Sequence, residues 1–163
     1  MTYTIEIYLY ENQLIFTGIR DLYFEKYKGV GPGIYSQPIL CLPNSCSASE
    51  IQQAFVQCVK ILEQNEKRIF EENTANSVMQ MENILFHNFK VFGIKAPRSK
   101  IIKSSIMIMV RMNENPSICK CVPEGRDMVV QRKISIASDA QPIVIAQYVY
   151  ELFELSHSDQ TVT

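Results

Sequence analysis

The run Ile106-Met107-Ile108-Met109-Val110-Arg111-Met112 constrains this chain more than any other stretch. A continuous apolar segment of that length, bounded by turn residues, is a strand buried on both faces and therefore a central one. Asn113-Glu114-Asn115-Pro116 then turns the chain, and Ile118, Lys120 and Val122 alternate with Cys119 and Cys121 as far as a loop at Pro123-Glu124-Gly125-Arg126-Asp127. This is a hairpin. Val129, Val130 and Ile134-Ser135-Ile136 read as further strand, and Pro142 suits the first turn of a helix carrying Ile145, Val149, Leu152 and Phe153.

A similar order runs through the first part of the chain. Thr4 to Phe16 is rich in β-branched and aromatic residues and is split at Glu11-Asn12-Gln13, which predicts a hairpin with Tyr8 and Tyr10 on the face of Glu6. Gly29-Val30-Gly31-Pro32-Gly33 reads as a loop, followed by a strand Pro38-Ile39-Leu40-Cys41-Leu42. Ser47 and Glu50 have capping-box spacing, in which hydroxyl and carboxylate satisfy two otherwise unpaired amides. Ile51, Ala54, Phe55, Cys58, Val59, Ile61 and Leu62 recur at helical spacing, with Gln52, Gln57 and Lys60 toward water. Val78, Met81, Ile84, Leu85 and Phe89 give a second helical pattern, ended by Gly93, and Lys95 to Lys100 read as a connection.

Set side by side, the two parts are a repeat: hairpin, strand and helix, twice, with nine residues from Leu42 to Ile51 and nine from Ile136 to Ile145. The expected fold is an α/β (α+β) sandwich with a twisted, mostly antiparallel sheet, helices on a face, about three helices and two pseudo-repeated ββ-βα halves. With 163 residues, 47% of them hydrophobic, the chain suits one domain over 1–155, with 156–163 a frayed tail. The N-terminus has no basic n-region or cleavage site and no apolar run nears the ~18 residues of a membrane span, so a cytoplasmic protein is expected.

Charge is uneven along a chain whose net charge is only −1: residues 1–94 sum to −3, 95–133 to +6 and 134–163 to −4. The middle segment suits an acidic protein, a nucleic acid or plain solvation of polar faces. Tyr23, Phe24, Tyr27 and Tyr35 interleave with Arg20, Lys26 and Lys28, an array that stacks bases in a single-strand binder and anchors a protein interface equally well.

Catalytic signals are weak. Cys41, Cys46, Cys58, Cys119 and Cys121 are an odd set without paired CxxC spacing, which fits reduced, buried thiols; a metal or redox site at Cys119 and Cys121 is the less favoured reading. His87 and His157 have no ligand partners at metal spacing, and the glycine cluster matches neither GxGxxG nor GxxxxGK[ST]. No metal, cofactor or enzymatic activity is expected.

Pro38 to Pro43 leading to Ser49-Glu50-Ile51-Gln52-Gln53-Ala54, then Val91-Phe92-Gly93-Ile94-Lys95 with Lys103 and Ile106 to Val110, resemble immunity proteins of bacterial contact-dependent growth inhibition, the CdiI family. Ile134-Ser135-Ile136 with Ala146 resembles that family's C-terminal strand and helix, so the likeness spans most of residues 35 to 155. It implies a non-enzymatic cytoplasmic protein that binds and neutralises the toxin domain of a CdiA-type effector, frequently a nuclease; an exposed hairpin edge leaves a monomer or weak dimer as the expected state. The expected anchors are Lys95, Arg98, Lys100 and Lys103 with Tyr23 and Phe24, on loops or exposed edges. The alternative is a nucleic-acid-binding regulator.

Overall fold

Strand β1 (Tyr3–Tyr10) owes its place to apolar side chains on both of its faces: Ile5 and Ile7 are fully buried on one, Tyr8 and Tyr10 buried on the other. It turns through Glu11 and Asn12, with Glu11 at φ 53°, into β2 (Gln13–Arg20), and the register runs from Tyr10↔Gln13 to Tyr3↔Arg20. A two-residue connection and a positive φ are what tight hairpins require. The structure, a computed structural model, describes residues 3–20, 23–24, 29–30, 34–35, 40–64 and 89–155, those between 20 and 39 by their backbone alone.

β5 (Ile34–Tyr35) and β6 (Leu40–Pro43) share the outer edge of β2, and β3 (Tyr23–Phe24) with β4 (Gly29–Val30) forms a separate two-stranded ribbon. Gly29 and Val30, expected in a loop, are therefore strand residues. Next comes α1 (Ala48–Gln64), started by the expected box: the Ser47 N–H donates to Glu50 Oε2 at 2.7 Å and the Glu50 N–H to Ser47 Oγ at 3.2 Å. The Ser47 N–H and the Ser47 hydroxyl, which donates to the same Oε2 at 3.0 Å, hold the Glu50 carboxyl below its ordinary pKa. Its contribution to the helix is present above the unfolded value and fades as pH falls through the lowered one. Ser47→Ala is expected to lower stability by about 1 kcal/mol in urea unfolding.

The second helical pattern expected from Val78 lies largely outside the described residues; its end appears as a 3₁₀ turn, Phe89–Phe92, closed by Gly93 at φ 79°. The segment expected as a connection contains a helix, α2 (Arg98–Ser104). β7 (Ser105–Met112), β8 (Ser117–Glu124) and β9 (Asp127–Ser135) then form a meander, followed by α3 (Pro142–Leu152), which has proline in its first turn. The expected loop at 123–127 narrows to the turn Gly125-Arg126, and β9 is one strand where two pieces were expected, with a bulge opposite Lys120/Cys121.

The sheet order is β5-β2-β1-β7-β8-β9, with β6 also on β2, and every pairing is antiparallel. This is the expected α+β fold. β1 and β7 lie at the centre, paired from Tyr3↔Met112 to Tyr10↔Ser105. From that seam each half runs outward, β1-β2-β6-α1 on one side and β7-β8-β9-α3 on the other. The repeat is thus real in topology: Ile51 and Ile145, each nine residues beyond its counterpart, are both 1% exposed in one core.

Helices cover both faces, where the sequence suggested one. On the first face α1 and α3 pack against each other and on Ile5, Ile7, Leu14, Phe16, Ile108, Val110 and Ile118. On the second, Phe89, Ile94 and Ile101 close over Tyr8, Tyr10, Ile15, Met107, Met109, Cys119 and Cys121. Two apolar layers explain why β7 has no polar side in its middle.

Candidate functional site

The second face places the basic segment. Ile101 is fully buried and Ile102 nearly so, which seats α2 on the sheet by the middle of one side. Arg98, Ser99, Lys100 and Lys103 then remain exposed, and Lys95, just ahead of the helix, is exposed as well. Four of the expected anchors thereby lie exposed within nine residues, on α2 and its lead-in rather than on loops. Tyr23 and Phe24 lie in β3, paired with Val30 and Gly29; their side chains are outside the described residues, and no described contact joins them to α2.

Two concavities flank the helix. One, of about 630 Å³, lies between the β1–β2 turn and the chain leading into α2, and is lined by Glu11, Asn12, Gln13, Lys95 and Lys100 among others. The other, of about 340 Å³, lies between α2 and the β8–β9 turn and is lined by Arg98, Ser99, Ile102, Lys103, Gly125 and Arg126. Arg126 belongs to this site and was not singled out from sequence. Its signal was only its place in a turn between paired strands.

The +6 segment does not form one surface. Strand alternation puts Arg111 and Lys133 on the face of α2, through the pairs Arg111↔Ser117 and Cys119↔Lys133, but Lys120 and Arg132 on the opposite face. Lys120 Nζ pairs there with Glu154 Oε1 at 3.2 Å, beyond the end of α3. Seven of the nine cations therefore gather on the second face or its rim, and two are diverted to the acidic C-terminal side.

Beneath α2 the sheet carries polar groups. Glu6 is 5% exposed, and its Oε2 accepts a 2.7 Å hydrogen bond from the Tyr8 hydroxyl, whose ring meets Phe89 edge-on at 5.4 Å. Cys119 and Cys121 point the same way, each 2% exposed, as small fillers of the layer. Burial, with Cys119 and Glu6 adding and Arg111 opposing, pushes the Cys121 thiol up to about 11; burial alone takes Cys58 to about 12, and burial with Glu50 takes Cys46 to about 11. Such thiols stay protonated near neutrality and are poor nucleophiles.

Two outcomes are expected. Native protein at pH 8 is expected to react slowly with iodoacetamide at Cys58, Cys119 and Cys121, and quickly only in denaturant; rapid native labelling of Cys119 or Cys121 would revive the redox reading of that pair. Because the folded pKa values of Cys46, Cys58 and Cys121 lie above the unfolded value near 9, their linkage leaves stability untouched below pH 9 and reduces it as pH rises toward 11–12, measurable by urea unfolding.

Among the described residues no cluster of three or more His, Cys, Asp or Glu can hold a metal ion, and no helix is long and apolar enough to cross a membrane. His87 and His157 lie outside the described residues.

No family model matches this chain, and no curated protein matches it. A solved structure of a protein of unknown function from Neisseria meningitidis is similar, with a TM-score of 0.58 over 93% of each chain at 11% identity. That likeness concerns the fold.

Proposed function

We propose that this protein is an immunity protein, which binds the C-terminal toxin domain of a contact-dependent inhibition effector one-to-one and blocks it without chemistry of its own. The observation that carries the reading is the cationic ridge of exposed Lys95, Arg98, Lys100 and Lys103 along α2 and its lead-in, a helix anchored by buried Ile101 and Ile102. A toxin antagonist needs a rigid scaffold and a complementary surface, and a ridge held by a packed sheet meets both needs. Its charge suits the acidic, metal-binding carboxylates of a nuclease, where complementary potentials raise the encounter rate. The resemblance in sequence to CdiI immunity proteins supports the same choice.

The test is co-expression of the tagged protein with the C-terminal domain of the large surface effector encoded immediately upstream. Stoichiometric co-elution with loss of toxin activity is the expected result. Changing Lys95 and Arg98 together to Glu is expected to slow association at low salt by about tenfold or more, read by surface plasmon resonance. An unchanged rate and affinity would remove the ridge from the interface. Failure of the wild-type chain to bind that domain, with steeply salt-dependent binding to RNA or single-stranded DNA instead, would replace the reading by the nucleic-acid one.

A further inference from the structure

We propose that the sulfur atoms of Cys119, Cys121, Met107 and Met109 form a binding site for one Cu(I) ion between β7 and β8. All four side chains belong to the second apolar layer and are buried in it, from 2% to 8% exposed. The strand register sets them opposite one another in pairs, Met107 against Cys121 and Met109 against Cys119. Opposed residues of an antiparallel pair have Cβ atoms about 4.5–5.5 Å apart. Residues two apart on one strand are separated by two rises of about 3.3–3.4 Å. Cysteine carries its sulfur one bond beyond Cβ and methionine two, so the four sulfurs can converge on a point between the strands. Burial, then the neighbouring Cys119, raises the Cys121 pKa, which puts the two thiols within electrostatic reach of each other.

Packing alone does not call for this arrangement. On the opposite face the same two strands present Ile106, Ile108, Val110 and Ile118, the β-branched residues that strands favour. Sulfur is thus segregated to one side of both strands. Its chemistry selects the ion, because thiolate and thioether are soft ligands that suit Cu(I) better than the harder divalent metals. Among the described residues no group of three His, Cys, Asp or Glu exists, which leaves a zinc ion short of its four ligands, whereas thioethers complete a Cu(I) site. Cu(I) also accepts low coordination without bound water, which suits a closed layer. Loading forms two copper–thiolate bonds and releases two protons, one from each S–H, with no change of oxidation state. The charge left behind lies near Arg111, which favours the Cys121 thiolate, and near Glu6, which opposes it.

The experiment needs only this chain in reduced form, so it stands or falls apart from the toxin reading. Anaerobic titration with Cu(I) against the chromophoric chelator bicinchoninate is expected to show one ion withheld per chain. Replacing Cys119 and Cys121 together by Ala is expected to weaken binding by about 100-fold or more, and Met109→Leu, which conserves volume, by about tenfold. Cys58→Ala, in α1 on the other face, is expected to leave affinity within about twofold. Thermal melts establish that each variant folds. Should the double variant melt below the assay temperature, X-ray absorption of the loaded wild-type chain decides, with sulfur neighbours alone expected and nitrogen or oxygen neighbours overturning the inference. No withheld ion, or an ion that survives loss of both thiols, overturns it as well. So does equal weakening by Cys58→Ala, because binding then follows stability rather than this face. An unchanged affinity in Met109→Leu also counts against it, since the thioethers are then plain packing.

Discussion

Ile108→Ala is expected to lower stability by about 2–5 kcal/mol, the range for deleting a fully buried Ile whose surroundings collapse only in part. Ile108 is wholly inaccessible, sits opposite Ile7 at the β1–β7 seam and faces the layer beneath α1 and α3. Both halves lean on it, which restricts how far either can move to refill the space. For a chain of 163 residues the loss corresponds to a fall in Tm of roughly 5–15 °C. Val144→Ala, at a site 39% exposed near the start of α3, is the control and is expected to change stability by less than about 0.5 kcal/mol. Chemical unfolding of the two variants decides the matter; a loss under about 1 kcal/mol for Ile108→Ala would mean that the seam is not the shared core described above.

Gly18→Val is expected to be nearly as damaging, at about 1–3 kcal/mol, for the opposite reason. Gly18 lies in β2 where α1 crosses, and a Cβ built there would stand 2.6 Å from a methyl of Leu62, itself fully buried. Nothing about φ demands glycine; the close approach of helix and strand does. Leu62→Ala in the same chain is therefore expected to recover part of the loss. The double-mutant cycle should show coupling of about 0.5–3 kcal/mol, and strict additivity would refute the contact.

Local signals in the sequence correspond to elements whose stability is local. The Ser47/Glu50 box, the alternation through Tyr8 and Tyr10 and the helical period from Ile51 to Leu62 each describe forces acting within a few residues, and each element formed where expected. The repeat was legible for the same reason, since both halves end in equal strand-to-helix spacings. α2 was not: seven residues with two apolar ones carry no period, and what holds the helix is Ile101 entering a layer built by residues far off in sequence. β9 read as two pieces because Gln131, Arg132 and Lys133 break the apolar pattern, yet an edge strand tolerates exposed charge and is protected by it. The site shows both sides of this. Lys95, Arg98, Lys100 and Lys103 were legible as a charge excess, whereas Arg126 joins Arg98 and Lys103 only because β8 returns as β9 beside the helix.

The two halves meet as two subunits of a dimer meet, strand against antiparallel strand about a local dyad. A true homodimer of such halves would carry every recognition surface twice. Here both halves belong to one chain, and β7 enters the seam directly from α2. The seam therefore cannot come apart on dilution, as the interface of a dimer does, and its stability is independent of concentration.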